Sequence, residues 1–161
     1  MRKKLLALTL ASSLFYVACS NSEKPATQET ATTEEQETTT DETAEYDPNR
    51  GEGKYDESNL QLAGLDAAMA GKGKTIAETK CLSCHKTTDE RLVGPGWKGV
   101  TERRTPYWIM NFITNPDEML DKDPELQAQI DICLVRMPDQ NLTDDEARSI
   151  LEFMRQNDGV K

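Results

Sequence analysis

Residues 81–85 read Cys-Leu-Ser-Cys-His, and this short stretch constrains the fold more than anything else in the chain. Two thiols three positions apart could form a redox pair or half of a zinc site. The only histidine of the chain follows directly, and C-x-x-C-H is the pattern for covalent attachment of a c-type haem. In that chemistry the thiols of Cys81 and Cys84 add to the two vinyl groups, and His85 ligates the iron from one face. A chain that must close around so large an apolar body needs fewer side chains of its own to build a core.

The N-terminus indicates where such a chain is matured. Arg2, Lys3 and Lys4 precede a short apolar run, Leu5 to Val17. The run falls short of the roughly 20 apolar residues that span a bilayer, so residues 1–18 read as an export signal. Val17-Ala18-Cys19-Ser20 resembles a bacterial lipoprotein processing site, although Tyr16 stands where leucine is usual. The resemblance implies a lipid on Cys19, a membrane anchor, and a location on the periplasmic side of a bacterial cell envelope. The alternative is an ordinary secreted protein with a chance cysteine.

From the lipidated residue to Ser58 the chain is rich in threonine and glutamate and nearly free of large apolar side chains. Such a composition cannot bury enough surface to offset ordering entropy. Residues 19–58 therefore read as a disordered acidic tether, about 130 Å long when stretched and about 35 Å on average as a coil. Residues 59–161 remain as one small domain. A domain this small is marginal on its own side chains, and a bound haem would supplement its core.

Charge is uneven along the chain. The formal net charge of −10 becomes −13 once the three basic signal residues leave. Residues 70–104 are net basic, with Lys72, Lys74, Lys80, Lys86, Arg91, Lys98, Arg103 and Arg104 against four acids, whereas residues 105–161 are strongly acidic. No dominant basic face interleaved with aromatics appears, which argues against nucleic acid. An acidic redox partner could be steered to the basic half.

The secondary-structure signals are helical, and the fold class is all-α with about four short helices. A first helix runs from near Asp66 through Met69, Ile76 and Ala77 into the haem motif, weakened by Gly71 and Gly73 at about 1 kcal/mol each. A glycine there suggests close packing of another element. Thr105-Pro106 opens a second helix, as N-cap and first helical position, with Trp108, Ile109, Phe112 and Ile113 on one face. Asn115-Pro116 ends it. Asp123-Pro124 repeats the opening, and Thr143 with Glu146 has capping-box spacing before Ala147, Ile150, Leu151 and Met154.

One histidine leaves the second axial position of the iron to methionine, to another ligand, or to nothing. Met110 and Met154 lie among apolar neighbours on predicted helices, Met69 precedes the motif, and Met119 falls in an acidic loop, "NPDEMLDKDP". Met137 lies between helices and before Pro138, where a sulfur can reach a cofactor without distorting a helix. His/Met ligation also raises the reduction potential. Cys133 has apolar neighbours in Ile130, Ile132, Leu134 and Val135 and reads as a buried, inert thiol. It lies four residues before Met137, which leaves thiolate ligation as an alternative.

Residues 66–157 resemble a class I, single-haem cytochrome c, through "GKGKTIAETK", "CLSCH", "VGPGWKGV" and "MPDQNLTDDEARSILEFM" in that order. The resemblance implies the cytochrome c fold, thioether bonds at Cys81 and Cys84, and His85 and Met137 as iron ligands. It further implies that the Pro95 carbonyl accepts a hydrogen bond from His85, and that the first and last helices pack together, with Gly73 opposite Phe153 or Met154. Trp97 departs from the leucine common at its position. "VGPGWKGVTERRTPYWIMNFITNPDEM" is similar to small cytochromes c associated with nitrous-oxide reductase systems.

The function implied is a tethered electron carrier rather than an enzyme, since the haem holds the chemistry. Its donor would be a membrane quinol-oxidising complex and its acceptor an exported terminal reductase. A five-coordinate haem enzyme or gas sensor would instead need a vacant sixth site with a poised distal group. A zinc module would need four ligands, and a thioredoxin-like pair a βαβ setting.

Overall fold

A computed structural model describes residues 46–161. The export signal, Cys19 and the tether up to residue 45 lie outside the described residues. Six helices follow one another: α1 (Ala67–Lys80), α2 (Val100–Arg103), α3 (Pro106–Thr114), α4 (Pro116–Lys122), α5 (Pro124–Cys133) and α6 (Asp144–Asn157). No strand occurs among the described residues. The fold is all-α, with six helices rather than about four.

Local chemistry starts each long helix. Asp66 accepts from Met69 N at α1, Thr105 from Trp108 N at α3, and Asp123 from Glu125 N and Leu126 N at α5. Thr143 and Glu146 form a reciprocal capping box at α6. Proline at the first helical position fixes φ and forgoes an N–H that would have no partner there, which suits α3, α4 and α5 alike.

α1 and α6 cross closely. Gly73 lies against the backbone of Ser149 and Ile150 rather than against Phe153 or Met154. Ala70, Ala77, Ala147, Ile150 and Leu151 bury the seam. Glu152, fully enclosed, is paired by Arg148 and Arg155, and Arg155 also donates to Ala63 O at 2.8 Å. The anion is thereby neutralised, and the segment entering α1 is tied to α6.

Two sequence expectations are corrected here. The acidic stretch around Met119 is not a loop: Pro116 starts α4, Asp117 and Glu118 complement the positive end of the helix dipole, and Met119 is fully buried. Residues 46–58, expected to belong to the disordered tether, are folded. Residues 46–60 form a strap over α3 and α4, with Tyr55 and Leu60 in the core. Its backbone is satisfied by side chains of the helices. Asn111 accepts from Tyr55 N at 2.8 Å and donates to Arg50 O and Tyr55 O at 3.0 Å, while Glu52 N points at the Met119 sulfur, 2.8 Å away. Composition cannot show this, because the strap contributes few apolar residues and is held largely by polar ones.

Candidate haem site

α1 delivers the motif. Cys81 caps the helix, donating its N–H to Ala77 O at 2.8 Å, and the chain turns so that Cys84 N and His85 N both meet Cys81 O at 3.0 Å. The loop then returns: Val93 N and Gly94 N donate to Cys84 O at 3.1 and 2.9 Å, and Trp97 N to Lys86 O at 2.8 Å. This closed loop carries His85 and Pro95 toward each other.

His85 Nδ1 lies 2.8 Å from the Pro95 carbonyl oxygen. A carbonyl can only accept, so Nδ1 carries the proton and the Nε2 lone pair is left for a metal. Burial lowers the pKa of the ring, opposed by the Pro95 bond, so the imidazole stays in the neutral form a metal requires. A Cβ on Gly94 would lie within 3.0 Å of three ring atoms of His85, so only glycine lets the ring rest against the backbone. Trp97 fills the space behind, its ring centre 5.7 Å from His85 and 6.3 Å from Phe153.

The motif opens into a cavity of about 580 Å³. Cys81, Cys84, His85, Pro95 and Met137 all line it, joined by Trp97, Trp108, Ile109, Phe112, Ile113, Ile150 and Met154. Its size and mostly apolar lining suit a large flat cofactor. Burial pushes the Cys81 thiol up to about 11, which keeps it protonated, as a thiol that adds to a vinyl group begins. Cys81 and Cys84 can thus hold the macrocycle at its edge, His85 can ligate iron, and the aromatic and aliphatic walls can exclude water. The bound haem would supply a one-electron Fe(III)/Fe(II) couple.

Met137 is half-buried and packs on the core. Its loop is pinned on both sides. Arg136 reaches Asp121 at 3.0 Å and Asp117 at 3.5 Å on α4, and Lys80 Nζ donates to Gln140 O at 3.2 Å while pairing with Glu146 at 3.6 Å. Sequence reasoning missed Arg136 and Lys80 in this role, as well as Trp108 and Arg104 on the wall. Arg104 stacks 4.2 Å over the Trp108 ring and pairs with Glu125.

Cys133 is a correction. It is half-exposed at the end of α5, where Ile132, Leu134 and Val135 all face solvent, and Arg91 Nη1 lies 2.8 Å from its sulfur. It does not line the cavity. Its apolar neighbours misled because Ile132 lies on the solvent face of α5, and Leu134, left-handed at φ 57°, ends the helix with Val135 outside it.

Among the described residues no group of three or more His, Cys, Asp or Glu side chains is arranged to hold a metal ion. Nor is any described helix long and apolar enough to cross a membrane.

The cytochrome c family profile matches residues 70–158, more than half of the chain. No curated protein matches it. Among solved structures, cytochrome c from Rhodothermus marinus shares 35% identity at a TM-score of 0.61, covering 65% of this chain and 90% of its own. An engineered form, Rma TDE, shares 34% at a TM-score of 0.62, covering 70% and 98%. The same engineered protein bound to a carbene intermediate shares 33% at 0.59, also covering 70% and 98%. The chain therefore belongs to the cytochrome c family and carries a covalent c-type haem, with Cys81 and Cys84 in the C-x-x-C-H position.

Proposed function

We propose that this protein is a membrane-tethered periplasmic electron carrier whose single haem is ligated by His85 and Met137. Haem-based electron transfer is the activity of the family. The observation that carries the finer reading is the convergence of Cys81, Cys84, His85 and Met137 on one largely apolar cavity. A thioether and a neutral imidazole add no charge to the iron. The apolar walls then resist creation of the ferric charge, which favours a relatively high potential. Met137 is held from α4 and from Lys80, so ligation would need little reorganisation when the iron changes charge. The lipid on Cys19 would confine the head near its donor and raise the effective concentration of encounters. Donor and acceptor are a membrane quinol-oxidising complex and an exported terminal reductase, of the kind that reduces nitrous oxide.

The test is an absorption spectrum of the haem-loaded protein, oxidised and then reduced. A weak far-red band from methionine on ferric haem is expected, and should vanish in Met137→Ala. Carbon monoxide should bind the reduced variant and leave the reduced wild type unchanged. A wild type without the band that binds carbon monoxide readily would sink the carrier mechanism. It would favour the second reading, a haem with an open site; a similar engineered cytochrome c has been solved bound to a carbene intermediate. The tether is tested separately: the full chain should partition with membranes, and Cys19→Ser should release it.

A further inference from the structure

Asp123 has more bonding than a helix cap requires. Its Oδ1 accepts from Glu125 N at 2.8 Å and Leu126 N at 3.1 Å, which completes the cap of α5. Its Oδ2 accepts from Trp108 Nε1 at 2.8 Å and from the hydroxyl of Tyr46 in the strap. The residue is 2% exposed. Four donors surround it and none is a cation, so its negative charge is solvated by dipoles but not cancelled. Capping alone needs one oxygen: Thr105 and Thr143 supply it with hydroxyls at α3 and α6, and Asp66 caps α1 with a single carboxylate oxygen. The second oxygen of Asp123, buried and bonded to Trp108 and Tyr46, is what calls for another explanation.

Trp108 suggests one. Its indole is bonded to Asp123 and also lines the haem cavity. The nearby guanidinium of Arg104 is engaged by Glu125, so it leaves no surplus positive charge against Asp123. We propose that Asp123 is a positioning residue for the haem: its buried carboxylate orients the Trp108 indole on the cavity wall and sets a fixed negative charge behind it that lowers the reduction potential. The oxidised haem carries one more positive charge than the reduced one, so a nearby anion favours the oxidised state. Inside the protein that attraction is poorly screened by salt. Tyr46 keeps water from the carboxylate, which gives the strap a part in tuning the cofactor.

The inference rests on the cavity being the seat of the haem. Its test is a potentiometric titration of the haem-loaded full chain carrying Asp123→Asn. Asparagine keeps the capping oxygen but turns an N–H toward Trp108 Nε1 and removes the charge. The oxidised/reduced equilibrium should move about tenfold toward reduced, 59 mV for a one-electron couple, and should depend little on ionic strength. The indole N–H resonance of Trp108 should shift as well. Asp123→Ser, which caps without charge, should move the potential in the same direction, and serves if the asparagine variant folds poorly. Trp108→Phe keeps the charge and should shift the potential by less than half as much. A haem-loaded Asp123→Asn with the wild-type potential would overturn the proposal and reduce Asp123 to a cap. The wild-type spectrum separates the other failure: a haem-free wild type would remove the seat itself, and the proposal with it.

Discussion

Gly71 and Gly73 stand two residues apart on α1, and the structure assigns opposite signs to the same substitution. Alanine at either position should gain about 1 kcal/mol of helix propensity. At Gly71 a Cβ meets nothing within 4 Å, so that gain is kept. At Gly73 it would collide with the Ser149 carbonyl and lie 2.9 Å from Ile150 N, both backbone atoms of α6. Backbone cannot rotate aside as a side chain can, so the two helices must separate. Overpacking costs about 1–3 kcal/mol, and backbone displacement belongs at the upper end. Setting about 3 against the propensity gain of about 1 leaves a net loss of about 2 kcal/mol. With a guanidinium slope of about 4 kcal/mol per molar, the midpoint should fall by about 0.5 M in Gly73→Ala and rise by about 0.25 M in Gly71→Ala. The assay is chemical unfolding of the haem-loaded protein, followed by far-UV circular dichroism and by haem absorbance to check that the two transitions coincide. A Gly73→Ala midpoint at or above wild type would refute the close crossing of α1 and α6.

Asn111→Ala should orphan the buried backbone groups it serves in the strap, at about 1–3 kcal/mol for each group left unpaired. The expected total is about 3 kcal/mol, read as a thermal midpoint lower by about 12 °C, with new protease cleavage confined to residues 46–60. Stability should also fall in acid. Burial raises the pKa of Asp123, but hydrogen bonds from Tyr46, Trp108 and the α5 amides outweigh it and hold the group below its ordinary range. Burial likewise raises Glu152, and Arg148 and Arg155 outweigh it. A depressed carboxylate stabilises the fold above its unfolded pKa and loses that contribution as pH falls. The loss should begin near the ordinary values of 4.5 and 3.8 and continue below them. Unfolding free energies measured from pH 6 downward should flatten in Glu152→Gln. Cys133 should react with a thiol reagent in the native haem-loaded protein, and Cys133→Ser should leave its absorption spectrum unchanged.

The helices that carry the site were legible because their signals are local. Thr105-Pro106, Asp123-Pro124 and Thr143 with Glu146 each settle a helix start within four residues, and each does so in the structure. Asn115-Pro116 is less legible, because Pro116 both ends α3 and starts α4 and Asn115 makes no side-chain cap bond there. Met119 was misplaced for that reason. Around Cys133 the apolar composition was read correctly, but its orientation was not. Ile132 falls on the exposed face of α5, and a left-handed Leu134 ends that helix with Val135 left in solvent; nothing in a run of apolar letters encodes either.

The site divides along the same line. A covalent haem motif must be contiguous, because two thioethers and one ligand have to meet a single rigid ring, so Cys81, Cys84 and His85 stand out in the sequence. The cavity wall has no such requirement. Tyr46, Trp108 and Asp123 meet across as many as 77 positions of sequence, and each alone has an ordinary explanation as a tether residue, a core aromatic or a helix cap. The strap composition points to disorder because burial there is achieved by polar groups, with Asn111 and Asp123 serving in place of apolar side chains. Buried polar networks of this kind are specific only when every member is satisfied, and no described buried side chain here lacks a partner. A wall held this way is rigid where an all-leucine wall would be adaptable. That suits a cofactor whose charge changes at every turnover and whose surroundings should not follow it.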